Sequence, residues 1–370
     1  MRHTRTFVAS AVTIASATIA AAQARRATVP APSWNAPAAA GYLDGRMTWW
    51  LQWPNAARDH GTTCVSCHTV LPYALARPAL RAATSDRGDV DPERRLIDNV
   101  VTRVRMWKDV EPFYPDQTRG LPKTSESRGT EAVLNALILA RRDAERGALS
   151  DDARQAFNNL WPLQFRAGSL KGAWAWLNFQ NEPWEANGSP YFGAALAAIA
   201  VGSAPGSYAA SAEIQDRVAA LRDFLQRGAD TTHLLNQMMA LWASGALPGV
   251  LTPAQRQSII ETAFARQQTD GGWSTASLGN WKRSDGTAVD AQSDGYATGL
   301  VVLALQRAGL SRADAHVRAG LEWLVQHQDP TTGMWSASSL NKARDPKTDI
   351  GKFMSDAATA YAVLALTQNP

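Results

Sequence analysis

Apolar positions recur at helical spacing along almost the whole chain, and alternating strand patterns are nearly absent. The pattern predicts helices over roughly 68–83, 92–108, 127–145, 151–165, 189–202, 211–227, 231–244, 253–268, 293–308, 312–327 and 355–367, with one more within 42–60. Asp91-Pro92, Ser150-Asp151 and Thr252-Pro253 are start signals, and Gly228, Gly245 and Gly309 mark ends. Two kinds of helix alternate. One is rich in Ala, Gly and Leu and apolar nearly all round, the composition of a buried helix. It starts at Ser127, Ser189, Ser293 and Ser355, with a looser copy at Thr232-His233, and recurs at spacings of about 60 residues. The other kind, such as Glu213 to Arg227 and Arg312 to Gln328, has a charged face and belongs outside.

Such an alternation closes either as an open solenoid or as a ring of inner helices surrounded by outer ones. Six inner helices follow from His68 onward, and six pairs can close, so the expected fold is all-α: an α/α toroid of about six inner/outer hairpins. Inner-to-outer connections are short. Outer-to-inner connections are mostly long, at about 109–126, 166–188, 269–292 and 328–354. All the long loops then fall on one mouth of the ring, with the N-termini of the inner helices. Long loops without secondary structure are usually functional, and helix N-termini favour anions and polar ligands.

Composition supports a packed globular chain of 370 residues, with 45% hydrophobic and 19% charged residues. The net charge of +4 is too weak and scattered for nucleic-acid binding. Arg2, His3 and Arg5 precede an uncharged stretch from Phe7 to Ala22, and Ala22-Gln23-Ala24 gives a small-x-small cleavage pattern. Residues 1–24 therefore read as a signal peptide cleaved near Ala24. The competing reading is an uncleaved anchor, for which the stretch is short. Residues 25–41 read as an Ala/Pro-rich leader, 42–90 as an N-terminal segment forming the first hairpin of the ring, and 91–370 as the rest of the toroid. The expected location is periplasmic or secreted, with no transmembrane anchor in the mature chain.

The sharpest chemical signal is Cys64-Val65-Ser66-Cys67-His68, which holds both cysteines of the chain. C-x-x-C-H is the attachment pattern of c-type haem: the two thiols add to the haem vinyl groups, and the adjacent histidine binds iron. Haem c is thus the expected cofactor, with Cys64 and Cys67 as covalent attachment points and His68 as axial ligand. A redox thiol pair, a disulfide and a zinc site are the competing readings. Aligning the repeats puts His68 at the long-loop mouth. His60, Met106, His233, Met334 and Met354 are candidate distal ligands; an open sixth position is the alternative.

A second signal is Gln267-Gln268-Thr269-Asp270-Gly271-Gly272-Trp273. A related form runs from Gln326 to Trp335 through Gln328 and Gly333, and a degenerate one from Gln164 to Trp174 through Gly168 and Gly172. Together with Ser293-Asp-Gly-Tyr-Ala-Thr-Gly, these strings resemble the Gln-Trp repeats of the squalene cyclase and prenyltransferase-repeat superfamily, over roughly residues 90–368. The resemblance implies an α/α toroid, a Gln that caps outer helices and ties neighbouring hairpins, and a central, often lipid-accommodating cavity. The catalytic signatures do not carry over: no D-x-D-D string is present, a third cysteine for a zinc prenyltransferase is missing, and so is Cys-Gly-Glu-Gln.

Asp294 and Asp356 share equivalent inner-helix starts, and Glu131 lies one turn deeper than Arg128. These carboxylates are candidates for acid–base hydrolysis, as in glycosidases, or for capping. Arg128, Trp174, Trp273 and Trp335 are expected at the cavity mouth, and Trp161, Trp176, Trp184 and Trp281 extend the aromatic set. Three functions follow. The first is redox chemistry on, or electron exchange with, a hydrophobic, isoprenoid-like molecule. The second is a non-enzymatic cytochrome module with a redox partner protein, and the third a haem-free carbohydrate- or lipid-active enzyme.

Overall fold

The computed structural model describes residues 33–86 and 88–368; the expected signal peptide and residues 25–32 of the expected leader lie outside the described residues. Among the described residues the regular elements are helices. In chain order they are α1 (Ala36–Gln52), α2 (Val70–Thr84), α3 (Asp91–Arg105), the short α4 (Asp116–Arg119), α5 (Lys123–Arg146), α6 (Asp151–Leu160), α7 (Ser189–Ser203), α8 (Gln215–Gly228), α9 (Leu234–Ala246), α10 (Pro253–Ala265), α11 (Gly295–Arg307), α12 (Ala315–Gln326) and α13 (Phe353–Thr367).

The inner helices α2, α5, α7, α9, α11 and α13 pack each on the next, and α13 packs on α2, so the ring closes. The fold is an α/α toroid. α7, α11 and α13 are buried along nearly their whole length, which is why their sequences are apolar all round. Close approach needs small residues: a Cβ on Gly299 of α11 would stand 2.7 Å from the Ala362 nitrogen of α13. The outer helices carry the polar faces. α10 starts with a capping box in which Thr252 and Gln255 satisfy each other's backbone N–H groups.

One boundary departs from expectation. α1 begins at Ala36, so residues 36–41 are helix and not loose leader. Asn35 accepts from the Ala38 N–H at 3.0 Å and Pro37 sits in the first turn. This is a helix start that the Ala/Pro composition concealed. α1 is the sixth outer helix, packed on α2, α3 and α13.

Three outer-to-inner connections share one clasp. The side-chain amides of Gln164, Gln267 and Gln328 donate to the carbonyls of Gly172, Gly271 and Gly333 within their own hairpins, at 2.8–3.0 Å. Each also donates to the start of the next outer helix: Arg217, His316 and Asn35. The indoles of Trp174, Trp273 and Trp335 donate back to the carbonyls of Leu160, Ala263 and Leu324. The last clasp closes the circle, because Asn35 belongs to the first hairpin. Gly333, at φ +78, lies so close to Ala38 that a Cβ would stand 2.3 Å from its carbonyl carbon.

Candidate functional site

The C-x-x-C-H segment joins α1 to α2. α1 ends in an aromatic group in which Trp49 and Trp53 stack at 5.0 Å and Trp50 and Trp53 meet at 5.4 Å. The chain then makes a tight turn with His60 at φ +53, and Cys64 N–H donates to the Ala56 carbonyl at 2.8 Å. The Trp50 indole N–H donates to the Cys64 carbonyl, also at 2.8 Å. The Ser66 hydroxyl accepts from the Thr69 and Val70 N–H groups and so starts α2. Both thiols are buried and unjoined. Burial pushes the Cys64 thiol up to about 12 and Cys67 well above the usual thiol range, and the Glu185 carboxylate adds to both. A redox thiol pair needs the opposite shift. Among the described residues no group of three or more His, Cys, Asp or Glu forms a metal cage, which leaves the zinc reading without a ligand set.

His68 follows directly. Its ring stacks on Phe353 at 3.9 Å and meets Trp50 edge-on at 5.1 Å. Its Nδ1 lies 2.9 Å from Thr69 Oγ1. The Thr69 hydroxyl donates its proton to Asp356 Oδ2 at 2.7 Å. Thr69 Oγ1 therefore accepts from Nδ1–H, and the lone pair of the imidazole sits on Nε2. Burial, with Arg46 and Arg344 nearby, lowers the imidazole to about 3, so the ring is neutral. Asp356 is held in turn by Tyr42 and Arg46, both at 2.8 Å from Oδ1.

His68 lines a mouth cavity of about 160 Å³ with Glu182, Trp184, Glu185, Asn341, Arg344, Phe353 and Met354. Burial pushes Glu182 up and Glu185 up to about 7. Cys64 faces a separate groove beside Trp50, Trp53, Arg58, Tyr114 and Arg119, and Trp50 packs from there against the His68 ring. The ring interior is filled. Trp184 of the mouth loop, Tyr296 of α11, Tyr361 of α13 and Trp242 of α9 pack edge to face at 5.4–6.2 Å. That stack occupies the place where the family resemblance implied a lipid-accommodating cavity.

Of the five candidate distal ligands, Met354 shares the cavity with His68. His60 is turned to Asp59 at 2.8 Å. His233 caps α9 by accepting from the Asn236 N–H and packs on Trp281. Met106 ends α3 and Met334 lies in the last clasp; neither lines the cavity. The three candidate carboxylates are each engaged by partners. Asp294 accepts from the N–H groups of Tyr296, Ala297 and Thr275 and from the Thr275 hydroxyl, a saturated cap. Burial pushes it up to about 6 against those four donors. Glu131 is a fully buried partner of Arg103, with Arg103 Nε at 2.5 Å. Asp356 is spoken for by Arg46, Tyr42 and Thr69. Trp174, Trp273 and Trp335 are at most 1% exposed and belong to the clasps, not to the mouth. Arg128 covers Trp107 at 4.6 Å and donates to the Val110 carbonyl. Sequence reasoning missed Trp50, Phe353, Glu182, Glu185 and Arg344. The run Trp49-Trp50 with Trp53, just before the motif, is the one local signal that points to any of them.

A c-type haem requires two free thiols and one imidazole nitrogen. By donor type the set fits: Cys64 and Cys67 are unjoined, and Nε2 of a neutral His68 carries no hydrogen bond among the described residues, while Cys64 opens on a different groove from the His68 cavity. The cavity is smaller than the roughly 300–1,000 Å³ of ordinary ligand sites, and Asn341, Arg344 and Ile350 of the largely exposed 341–350 stretch form part of its wall.

No family model matches the chain, and no curated protein matches it. Among solved structures the chain is similar to an alpha-1,6-mannanase of Salegentibacter sp. HEL1_6, an inactive variant with two aspartates replaced by alanine, in complex with alpha-1,6-mannotetrose. The TM-score is 0.52 at 12% identity, covering 90% of this chain and 100% of that one. It also matches a type II terpene cyclase from Scytonema at a TM-score of 0.45 and 13% identity, covering 90% of this chain and 98% of that one. The mannanase likeness bears on the fold alone.

Proposed function

We propose that Cys64 and Cys67 hold a covalently attached haem, with His68 as its axial ligand, and that the protein is an exported electron-exchange module built on a toroid. The observation that carries this reading is the state of His68: Nδ1 is occupied by Thr69, which is itself fixed by Asp356, so Nε2 is the free donor. Second-sphere hydrogen bonds of this kind orient metal-binding imidazoles and fix their tautomer. A bound haem supplies one-electron transfer. The chain's own residues keep the imidazole neutral, tie the Cys64 carbonyl to the Trp50 indole, and offer Met354 on the same cavity. The filled ring interior favours electron exchange with a partner over turnover of an isoprenoid-like substrate.

The test is a spectrum of the mature chain produced in a periplasm that matures c-type cytochromes. The expected result is a reducible haem band that survives denaturation and disappears in Cys64→Ser/Cys67→Ser. A colourless, folded protein overturns the reading.

A second reading is a haem-free carbohydrate-active toroid. It is favoured by Glu182 and Glu185, two carboxyls raised by burial that flank Trp184 at the mouth. It expects release of reducing sugar from an alpha-1,6-mannan and its loss in Glu182→Gln and Glu185→Gln. No release, or release unchanged in both variants, removes it.

A further inference from the structure

At the opening opposite the mouth, where the inner helices end, two guanidinium groups meet without a partner. Arg141, near the end of α5, and Arg307, the last residue of α11, line one cavity of about 430 Å³. Its walls include Leu75 and Pro78 of α2 and Leu364 of α13. Among the described residues neither arginine forms an ion pair, and Arg307 Nε is buried with no hydrogen-bond partner. The acceptors nearby are committed elsewhere. Glu145, on the cavity rim, pairs with Arg81 at 3.4 Å. The carbonyls that end α13, at Ala365, Leu366 and Gln368, accept from Arg312.

Helix C-termini attract cations, which accounts for basic residues at this opening. It leaves the donors unanswered, because each guanidinium presents five N–H groups in a fixed fork. Burial lowers both groups below the ordinary guanidinium range, Arg307 to about 10; the Arg141 charge adds to the shift at Arg307, and the Glu145 carboxylate on the rim opposes it in part at Arg141. Two like charges sharing a half-buried space are relieved by an anion, and planar forks match oxyanions in pairs of hydrogen bonds.

We propose that this opening is an oxyanion-binding site in which Arg141 and Arg307 hold a phosphate- or carboxylate-type group, and Leu75, Pro78 and Leu364 face the apolar body that carries it. The site is independent of the haem reading, since it lies on the other side of the ring.

The experiment is titration calorimetry on the full chain with phenyl phosphate and with inorganic phosphate, ionic strength held constant with sodium chloride. Saturable binding of phenyl phosphate is expected, tighter than inorganic phosphate, and weakened at least tenfold in Arg141→Gln and in Arg307→Gln. Arg142→Gln, whose guanidinium already pairs with Asp89 at 3.0 Å, should bind as the unaltered chain does. Equal affinity for the two probes overturns the apolar wall. Binding of neither probe, or binding unweakened in both variants, overturns the site. Should either Gln variant fail to fold, the unaltered chain decides. Its thermal midpoint should rise by a few degrees in phenyl phosphate over matched chloride, and no rise overturns the proposal.

Discussion

The hairpin that carries Trp273 and the hairpin that carries His68 occupy equivalent places in the ring, yet they anchor their loops in opposite directions. In the first, the tryptophan sits in the loop and its indole donates back to Ala263 on the outer helix. In the second, Trp50 sits on the outer helix and its indole donates forward to Cys64 in the loop. Moving the anchor onto α1 frees the loop positions for two cysteines and a histidine without giving up the helix-to-loop bond. A repeat scaffold tolerates a chemical insert if the same hydrogen bond is made from the other side.

The most severe test of that comparison truncates each anchor. Trp273→Ala and Trp50→Ala should each cost about 3–5 kcal/mol, the usual range for emptying a large buried aromatic site. The two should part company in thiol access. In the chain produced without haem attachment, Cys64 and Cys67 should stay unreactive to a thiol reagent in Trp273→Ala and become reactive in Trp50→Ala. Equal reactivity in both variants would break the idea that Trp50 guards the motif.

The motif hairpin also has a brace that the Trp273 hairpin lacks. Arg103 bonds Glu131 in the core and donates to the Thr62 hydroxyl in the motif loop and to the Glu111 carbonyl in the connection after α3. Glu131→Gln leaves the buried Arg103 with Asp59, at 3.6 Å and partly exposed, as its counter-charge and should cost about 3 kcal/mol. An Arg103→Met/Glu131→Leu double variant removes the charge problem but also the hold on Thr62. We expect it to recover part of the stability while residues 59–63 lose hydrogen-exchange protection. Full protection in the double variant would show that the pair is a core element with no bearing on the motif.

How much of this was legible follows from where the information lies. The inner helices were readable because burial on all sides leaves an all-round apolar pattern, and the clasps because Gln267, Gly271 and Trp273 are close in sequence. The mouth was not. Glu182, Glu185 and Arg344 reach His68 from two loops about 160 residues apart, a convergence that no local pattern encodes. Trp174, Trp273 and Trp335 were expected at the mouth because residue type does not tell which way an indole faces. The clasp's own geometry turns each toward the preceding outer helix. The pair Arg141 and Arg307 reads in sequence as ordinary basic residues at helix ends; only closure of the ring brings them together.

The clasps allow a smaller comparison within the ring. Gln267 ties two consecutive hairpins, whereas Gln328 ties the last to the first. Gln328→Ala removes donors to Gly333 and Asn35 and the acceptor of the Asn35 N–H. A loss of about 1–3 kcal/mol is expected, with hydrogen exchange accelerated in α1. Gln267→Ala should cost about the same but accelerate α12, where its partner His316 lies. If both variants loosened the same helix, closure would not run through Asn35.

The least effect is expected at Asp294, and it separates a cap from a catalyst. Its carboxylate accepts four hydrogen bonds, three of them from backbone N–H groups at the start of α11 and in the Trp273 loop. A side chain that satisfies orphan donors is replaced most gently by one of the same shape. Asp294→Asn keeps an acceptor oxygen for the α11 N–H groups but sets an amide NH2 against the Thr275 N–H and should cost about 1 kcal/mol, whereas Asp294→Ala should cost about 2 kcal/mol. Asp356 lies inside the first turn of α13, one residue beyond Ser355, which takes the Asp294 place by accepting from the Ala337 N–H; it does different work, because its partners are side chains from the motif hairpin. Asp356→Asn should therefore loosen residues 66–70 in hydrogen exchange, and Asp294→Asn should leave them untouched. A loosened motif in the Asp294 variant would mean that the two hairpins are coupled through the ring, and that the inverted anchor at Trp50 does not isolate the Cys64–His68 segment from its neighbours.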